Sequence, residues 1–406
     1  MGSSCACQLW YNITKYEWTT DKTCRMKILQ VLPALEQGGV ERGTLEIATA
    51  LTDAGIPNAV ASAGGRLVHA LDDLGVEHLA LPLDRKNPFV LRGCAKKLAE
   101  YCKAEGVTLM HVRSRAPAWA VKWASEKCGV KWMATFHGVY GTSPKFLKVP
   151  YNRVMLKGER TIAVSNYVRQ HILDTYDCVD PEKIVLVHRG ADTSFFSPDA
   201  VPRDVAEAKK TNQYGFEKDY PVITLPGRLT RWKGQEIFIE ALGMMRNHRY
   251  GVLILGSDQG RTEYSDSLRT MAGKLPDETR VVFRDHTSEM QVVYALSDIV
   301  VNASSAQPEA FGRTIPEAQA SGCLVLATAH GGACETVKDG ETGFLVPPGD
   351  AKAMAEKLDE MLEMSAEAKA KMRTAAVESV RADFSTAKMC EKTLAVYREL
   401  HGEMPK

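Results

Sequence analysis

Residues 27–54 read KILQVLPALEQGGVERGTLEIATALTDA. The apolar run at residues 28–32 predicts a buried strand, and the amphipathic stretch at residues 41–54 predicts a helix. Gly38 and Gly39 lie between these two elements, where glycine allows a ligand to approach the backbone closely. The segment therefore predicts the first strand–loop–helix unit of an α/β fold.

Short β-branched runs and longer amphipathic stretches continue to alternate along the chain in two series. This alternation is typical of a parallel sheet with helices on both faces. A polar stretch at residues 199–220 separates the two series, and the Glu-, Lys- and Ala-rich residues 351–400 predict two or three closing helices. The strands are predicted at residues 28–32, 58–63, 109–112, 131–136, 161–165 and 184–188, then at 222–225, 252–255, 280–283, 299–301 and 324–327.

We expect an α/β protein built of two Rossmann-like parallel-sheet domains that face each other across a cleft. Ligands of open parallel sheets bind outside the carboxyl ends of the strands, so the cleft is the predicted site. The predicted divisions are a flexible leader (1–26), an N-terminal domain on the acceptor side (27–200), a C-terminal domain on the donor side (201–382) and a final helix that packs back towards the N-terminal domain (383–406).

The composition argues against several other classes of protein. The 406 residues suffice for two or three domains, and 45% apolar with 25% charged residues are ordinary for a globular chain. The 51 Lys and Arg balance 50 Asp and Glu, which argues against a nucleic-acid partner. No apolar run approaches the length of a membrane span, and the ten cysteines show no disulfide framework. We therefore expect a cytoplasmic protein.

The densest group of chemically informative residues is the sequence PEAFGRTIPEAQASG at residues 308–322. Proline is tolerated only in the first turn of a helix, so Pro316 predicts a short helix that begins near Arg313. The free backbone amides at residues 312–315 then form an anion site suited to a diphosphate. The carboxylates of Glu309 and Glu317 accept hydrogen bonds, which suits the hydroxyls of a sugar and a ribose.

Two further clusters follow predicted strands. The sequence GRLTRWKG at residues 227–234 provides Arg228 and Lys233 at a strand's carboxyl end, where the two cations suit a pyrophosphate. It is not a Walker loop. Gly38 and Gly39 lack the spacing of the dinucleotide fingerprint, and they remain open to interpretation as a simple turn. His137 also ends a predicted strand, and a purely structural role stays open for it.

These motifs resemble those of the family-four retaining glycosyltransferases, whose architecture is named GT-B. The resemblance extends over residues 27–400. Its most specific element is a pair of glutamates with seven residues between them, matched by Glu309 and Glu317. The other similar motifs are Gly38-Gly39, His137-Gly138, Arg189-Gly190-Ala191-Asp192, Gly227-Arg228, Lys233-Gly234, and the spaced residues Gly331, Gly332, Glu335, Gly340 and Gly343.

The resemblance implies transfer of a sugar from a UDP or GDP donor with retention at the anomeric carbon. Arg228 and Lys233 match residues that neutralise the diphosphate, Glu309 and His137 match residues near the donor sugar, and Glu317 matches the residue that holds the ribose. No cofactor and no metal ion are expected. The catalytic residues are predicted as His137, Arg228, Lys233 and Glu309, and the donor-binding residues as Gly38, Gly39, Phe311, Gly312, Arg313, Thr314 and Glu317.

Two departures from the family pattern affect the expected substrates. Arg284 and His286 stand where many relatives carry a glycine after the strand, and we predict that they border the nucleotide base. Arg189 stands where Asn is common. An arginine here resembles some enzymes of lipopolysaccharide core assembly, so we expect a glycan or lipid-linked acceptor in lipopolysaccharide or envelope polysaccharide synthesis.

A basic segment on the acceptor side predicts peripheral contact with the inner face of the cytoplasmic membrane. Three of its cations, at positions 153, 157 and 160, fall at helical spacing, and anionic lipid attracts such a stripe. A solvated basic face is the equally weighted alternative. The residues are Lys145, Lys148, Arg153, Lys157 and Arg160.

Three other functions compete with sugar transfer. A nucleotide-sugar epimerase of the same architecture would need acid and base groups for a single substrate, which the cluster at residues 309–317 does not resemble. A phosphorylase would need a lysine-bound pyridoxal cofactor. A nucleotide-sugar-binding protein without turnover is the third alternative, and the presence of Arg228, Lys233 and Glu309 argues against it.

Overall fold

The computed structural model describes residues 26–36, 38–177, 179–285 and 287–402. Its strands form two sheets, and every strand pairing in both sheets is parallel. The seven strands of the first sheet are β1 (Ile28–Val31), β2 (Asn58–Ser62), β3 (Glu77–Ala80), β4 (Leu109–Val112), β5 (Lys131–Phe136), β6 (Thr161–Ala163) and β7 (Ile184–Leu186). The six strands of the second are β8 (Val222–Pro226), β9 (Gly251–Leu255), β10 (Arg280–Arg284), β11 (Ile299–Asn302), β12 (Leu324–Thr328) and β13 (Phe344–Val346).

Helices cover the sheets. Those of the N-terminal domain are α1 (Gly39–Asp53), α2 (His69–Asp73), α3 (Pro88–Glu105), α4 (Arg115–Cys128), α5 (Lys145–Asn152) and α6 (Asn166–Thr175). Those that follow are α7 (Arg203–Ala208), α8 (Gln235–Met244), α9 (Thr262–Ala272), α10 (Met290–Leu296), α11 (Thr314–Ala320), α12 (Ala333–Thr336), α13 (Ala351–Glu363), α14 (Ala366–Asp383) and α15 (Thr386–His401). The predicted α/β architecture with two Rossmann-like parallel sheets is confirmed.

The strand orders explain where the chain changes direction in each sheet. The first sheet runs β3-β2-β1-β4-β5-β6-β7 and the second runs β10-β9-β8-β11-β12-β13. In each sheet the chain moves outward from a central strand, β1 or β8, and then crosses to the other side of it. A crevice forms at such a point of reversal, outside the carboxyl ends of the strands. The loops after β1 and β8 are therefore placed to contact a ligand.

All eleven predicted strands are present, and two strands were not predicted. Strands such as β1 and β9 are found because their residues are mostly apolar and are all buried. The unpredicted β3 lies at a sheet edge and has only partly buried or exposed residues, and the unpredicted β13 has three residues. The sequence of β3 is too polar to indicate a strand, and the apolar run of β13 is too short to do so.

Helix α15 packs against the N-terminal domain although it follows the C-terminal one. Tyr397 is fully buried, and its hydroxyl lies 2.6 Å from Nδ1 of His111 on β4. Leu394 packs in one cluster with Ile28 and with Met26. Met26, the last residue of the predicted leader, is thus part of this core, and the rest of that leader lies outside the described residues.

Polar contacts join the two domains beside the cleft. The Ser165 hydroxyl, before α6, donates to the backbone carbonyl of Ala310 in the C-terminal domain. The Glu335 carboxylate on α12 accepts hydrogen bonds from the backbone amides of Asn166 and Tyr167, at 2.8 and 2.9 Å, in the first turn of α6. A carboxylate at this position also interacts favourably with the helix dipole. Across the described residues, no helix is both long and apolar enough to cross a membrane.

Candidate active site

A cleft of about 750 Å³ lies between the carboxyl ends of the two sheets. The loops after β1, β5 and β7 and the residue after β6 line it from the N-terminal domain, and the loops after β8, β10 and β11 line it from the C-terminal domain. The cleft brings together eleven of the predicted site residues, namely Gly38, Gly39, His137, Arg228, Lys233, Glu309, Phe311, Gly312, Arg313, Thr314 and Glu317.

Lys233 and Glu309 form an ion pair on the C-terminal side of the cleft, and each side chain is 13% exposed. The Glu309 carboxylate also accepts hydrogen bonds from Asn302 Nδ2 at 3.1 Å and from Ser304 Oγ at 3.2 Å. Burial by itself would raise the pKa of Glu309, but the Lys233 ammonium and these hydrogen bonds outweigh it and lower the pKa. Glu309 is therefore held as a carboxylate, and the Lys233 ammonium is held in place beside it.

Glu317 and Arg313 connect the C-terminal side of the cleft to helix α1. Arg313 Nη2 donates to Glu46 on α1 at 2.7 Å, and its Nε lies 3.5 Å from the Glu317 carboxylate. The Tyr294 hydroxyl donates to the other Glu317 oxygen at 3.3 Å. Burial raises the pKa of Glu317, although Arg313 and the nearby Arg42 oppose the effect. Glu317 is thus easier to protonate than Glu309.

His137 and Arg189 lie together on the N-terminal side of the cleft. Arg189 Nη1 is 2.9 Å from His137 Nδ1, and Nη2 donates to the backbone carbonyl of Gly39. Burial lowers the pKa of His137 well below its usual value, and the positive charge of Arg189 lowers it further. The imidazole is therefore uncharged at neutral pH.

The loop before α11 packs closely against the rest of the C-terminal domain. Gly312 has φ +79°, a left-handed conformation that favours glycine. A Cβ on Gly332 would lie 2.5 Å from the Cα of Phe311, so glycine is needed there for close packing. One part of the anion-site prediction is wrong: the Ile315 amide is not free, because it donates to the Gly312 carbonyl at 3.0 Å in a tight first turn.

One of the two predicted base-pocket residues, Arg284, is not brought to the cleft. Arg284 is the last residue of the edge strand β10, and its guanidinium donates to the Gln213 carbonyl at 3.3 Å. It lines a separate depression at the outer side of the sheet. Thr287 and Ser288, from the loop after β10, line the cleft instead. His286 lies outside the described residues.

Sequence reasoning missed the contribution of helix α1 to the site. Arg42 lines the cleft, with its guanidinium 5.8 Å from the ring centroid of Phe196, and Glu46 pairs with Arg313. The amphipathic pattern of α1 indicates its buried face, but only the packing of the two domains shows which polar residues reach the cleft. The motif containing Arg189 was noticed, and its contact with His137 was not predicted.

The predicted helical stripe of basic residues is wrong. Helix α5 ends at Asn152, and Arg153–Leu156 form a 3₁₀ turn before β6, so the three cations do not share a helix face. Arg153 donates to the Asp177 carbonyl at 3.1 Å, and Arg160 pairs with Glu399 on α15. Lys145 and Lys148 do lie on α5, where they flank two exposed apolar residues, Phe146 and Leu147.

No group of three or more His, Cys, Asp or Glu residues suited to a metal ion occurs in the described part of the chain. Arg228 and Lys233 provide positive charge on the C-terminal side of the cleft, beside the start of α11. Metal independence stays a prediction.

Two family models match the chain and together cover most of it. The model described as Glycosyltransferase Family 4 matches residues 37–195, and the model described as Glycosyl transferases group 1 matches residues 206–379. A D-inositol 3-phosphate glycosyltransferase of Corynebacterium glutamicum is 34% identical over 238 residues, which are 57% of this chain and 54% of that protein. The chain spans about half the length of the curated relatives it matches.

Solved structures match along nearly the whole chain. A glycosyltransferase from Rickettsia africae is 38% identical, has a TM-score of 0.84, and is matched over 93% of this chain and 99% of that one. The Anabaena protein HepE in complex with UDP-glucose has a TM-score of 0.76 at 22% identity, over 91% of this chain and 100% of that one, which shows a shared fold. The chain therefore belongs to the family 4 glycosyltransferases, and its two facing Rossmann-like domains have the GT-B architecture of that family.

Proposed function

We propose that this protein transfers a sugar from a nucleoside diphosphate donor to an acceptor held by the N-terminal side of the cleft, with retention at the anomeric carbon and without a metal ion. The observation that supports the proposal most is the convergence of Arg228 and Lys233 with two buried carboxylates, Glu309 and Glu317, in one cavity. Cations suit the diphosphate, and carboxylates suit the hydroxyls of sugar and ribose.

The charges that develop during transfer match this arrangement. Breaking the donor's glycosidic bond leaves negative charge on the β-phosphate and an oxocarbenium-like sugar. Arg228 and Lys233 stabilise the phosphate as its charge forms, and groups fixed before the reaction do so most effectively. Lys233 is already fixed by its pairing with Glu309. In this proposal the acceptor attacks from the face that the phosphate leaves, and the departing phosphate takes the acceptor's proton.

The acceptor that we propose is a glycan or lipid-linked saccharide of the cell envelope, such as a lipopolysaccharide precursor. Helix α5 supports it, because the exposed Phe146 and Leu147 beside Lys145 and Lys148 suit the surface of an anionic membrane. The 34% identity to a D-inositol 3-phosphate glycosyltransferase supports a second acceptor class, an inositol phosphate. A panel containing both acceptor classes, assayed with one donor, decides between them.

Thermal shifts with UDP, GDP and ADP test the donor first. A ligand that binds only the folded state stabilises it by about 2.7 kcal/mol at 100 times its Kd. We expect one of the three nucleotides to raise the Tm well above the others, and to lose this effect in Lys233→Met. The matching nucleotide sugars are then incubated with the acceptor panel, and the product's anomeric configuration is determined by NMR.

The result of that incubation also separates the competing functions. A product with the donor's anomeric configuration supports the proposal, whereas an inverted product contradicts retention. Conversion of one nucleotide sugar into its epimer without an acceptor supports the epimerase. Nucleotide binding with neither transfer nor donor hydrolysis supports a binding protein without turnover.

A further inference from the structure

Arg189 connects two loops that line the N-terminal side of the cleft. The residue follows β7 and is only 7% exposed. Its Nη1 lies 2.9 Å from Nδ1 of His137, after β5, and its Nη2 donates to the carbonyl of Gly39, after β1. A single guanidinium thus fixes the imidazole relative to the glycine loop.

The contact with Arg189 determines which nitrogen of His137 carries the proton. A guanidinium has only donors, so Nδ1 of His137 must accept the hydrogen bond. A neutral imidazole that accepts at Nδ1 carries its proton on Nε2. The Nε2 atom is buried, has no hydrogen-bond partner among the described residues, and belongs to a side chain that lines the cleft. It is a donor without an acceptor in the described part of the chain.

We propose that Arg189 is a positioning residue that holds His137 as the Nε2–H tautomer, so that this N–H donates a hydrogen bond to the donor sugar during transfer. The role in transfer rests on the proposed function, whereas the tautomer is a property of the protein alone. A neutral donor suits the reaction because it adds no positive charge beside an oxocarbenium-like sugar.

The charged groups around His137 maintain its neutral form. After burial, the largest effects that lower the pKa of His137 come from Arg189, from Arg113 after β4 and from His111 on β4. The same cleft also contains the Glu309 carboxylate, which Lys233 neutralises. Removing the Arg189 charge therefore raises the pKa of His137 relative to the wild type and removes the hydrogen bond that selects its tautomer.

Gly43 on α1 leaves the space that the Arg189 guanidinium occupies. A Cβ on Gly43 would lie 2.6 Å from Nη2 of Arg189 and 3.0 Å from its Cζ. Gly43→Ala therefore displaces the guanidinium without changing Arg189 or His137. Alanine suits a helix interior better than glycine does, so this variant provides a test in which α1 itself is not weakened.

The tautomer is measured by ¹⁵N NMR of the histidines in the ligand-free full chain, with His137→Gln used for assignment. We expect the wild type to show Nε2–H across pH 5.5 to 8. We expect Arg189→Met and Gly43→Ala to show a mixture of the two tautomers. Arg189→Lys keeps a hydrogen-bond donor, so we expect it to retain more of the Nε2–H tautomer than Arg189→Met does. Arg203→Met, at an exposed arginine on α7, is the control. A wild-type Nδ1–H ring, or unchanged tautomers in both Met and Ala variants, overturns the proposal.

Steady-state kinetics test the role in transfer. We expect Arg189→Met to lower kcat by up to about 100-fold, the cost of losing one fixed transition-state donor, with little change in KM for the donor and partial rescue in Arg189→Lys. Its kcat should also fall more steeply than that of the wild type towards low pH. Unchanged kcat overturns the role. An Nε2–H ring in a protein that transfers no sugar overturns the proposed function and leaves the tautomer assignment standing.

Discussion

The two glutamates on the C-terminal side of the cleft have different environments. Glu309 is surrounded by an ammonium, an amide and a hydroxyl, which lower its pKa. Glu317 has a pKa raised by burial, with Arg313 the main opposing group. The two glutamates could be predicted as a pair from their spacing, but the difference between them could not, because Lys233 and Tyr294 approach them from other parts of the chain.

Replacing Lys233 by Met tests whether its ammonium stabilises the leaving phosphate. Because a fixed donor to the developing charge is lost, we expect kcat to fall by about 100-fold or more. Circular dichroism checks that the variant is folded, and Lys352→Met, at an exposed lysine on α13, is the matched control. Near-normal turnover in a folded Lys233→Met protein would remove this residue from the active site.

Replacing Glu317 by Gln tests its assignment to the ribose. Hydrogen bonds to a charged group contribute about 1.5 to 3 kcal/mol, so we expect the Kd of the matching nucleoside diphosphate to rise by about tenfold or more. Because burial raises the pKa of Glu317 above its ordinary value of about 4.3, we expect the wild-type affinity to fall as pH is lowered and the carboxylate takes up a proton. Calorimetry at pH 5, 6 and 7 should show a smaller pH dependence in Glu317→Gln. Equal affinities and slopes contradict the assignment.

At the scale of helices and strands, the sequence pattern predicts elements best where burial alone determines them. The strand at residues 299–301 is continuously apolar and was found, whereas the partly exposed β3 was not. Patterns of charge were less reliable: helical spacing of Arg153 and Lys157 predicted a stripe, but the chain leaves the α-helix at Asn152. Proline at position 150 also removes a helical amide there.

After the loss of the basic stripe, the prediction of membrane contact rests on helix α5. Phe146 is 77% exposed and Leu147 is 60% exposed there, between two lysines. Each Lys near an anionic bilayer contributes about 1 kcal/mol. We therefore expect Lys145→Gln with Lys148→Gln to weaken binding to phosphatidylserine vesicles by about 30-fold. The control replaces two exposed lysines of the C-terminal domain, Lys352 and Lys371. Sedimentation that shows equal vesicle binding for both double variants rejects α5 as the contact.

The whole molecule depends on contacts between domains that neither domain's sequence pattern indicates. The cleft has its shape because Arg313 of one domain pairs with Glu46 of the other, and because Glu335 binds the first turn of α6. The position of Glu335 in its motif gives no sign of its contact with Asn166, since that contact arises only when the two sheets face each other. The sequence therefore predicts that a cleft exists, but it does not predict the residues that join the two domains beside it.

The Glu335 carboxylate is one group through which pH acts on the domain contact. It accepts hydrogen bonds from the backbone amides of Asn166 and Tyr167 and from His188 Nε2, at 2.8 to 2.9 Å. Burial would raise its pKa, but His188 and the two amides outweigh it and lower the pKa below its ordinary value. Its contribution to stability is therefore complete above the unfolded-state pKa of about 4.3 and is lost as pH falls through the lower folded-state pKa.

Glu335→Gln removes this charge while keeping an acceptor oxygen. We expect a loss of about 2 kcal/mol in the free energy of domain association at pH 7, the scale of hydrogen bonds to a charged group, and a smaller loss below about pH 4. Hydrogen exchange at the Asn166 and Tyr167 amides measures the opening. Asp339→Asn, which removes a carboxylate that binds the Leu345 amide within the C-terminal domain, is the control. If Glu335 holds the domains together, the variant opens more often, and the two amides then exchange faster. Unchanged exchange at these amides at pH 7 therefore contradicts the role of Glu335.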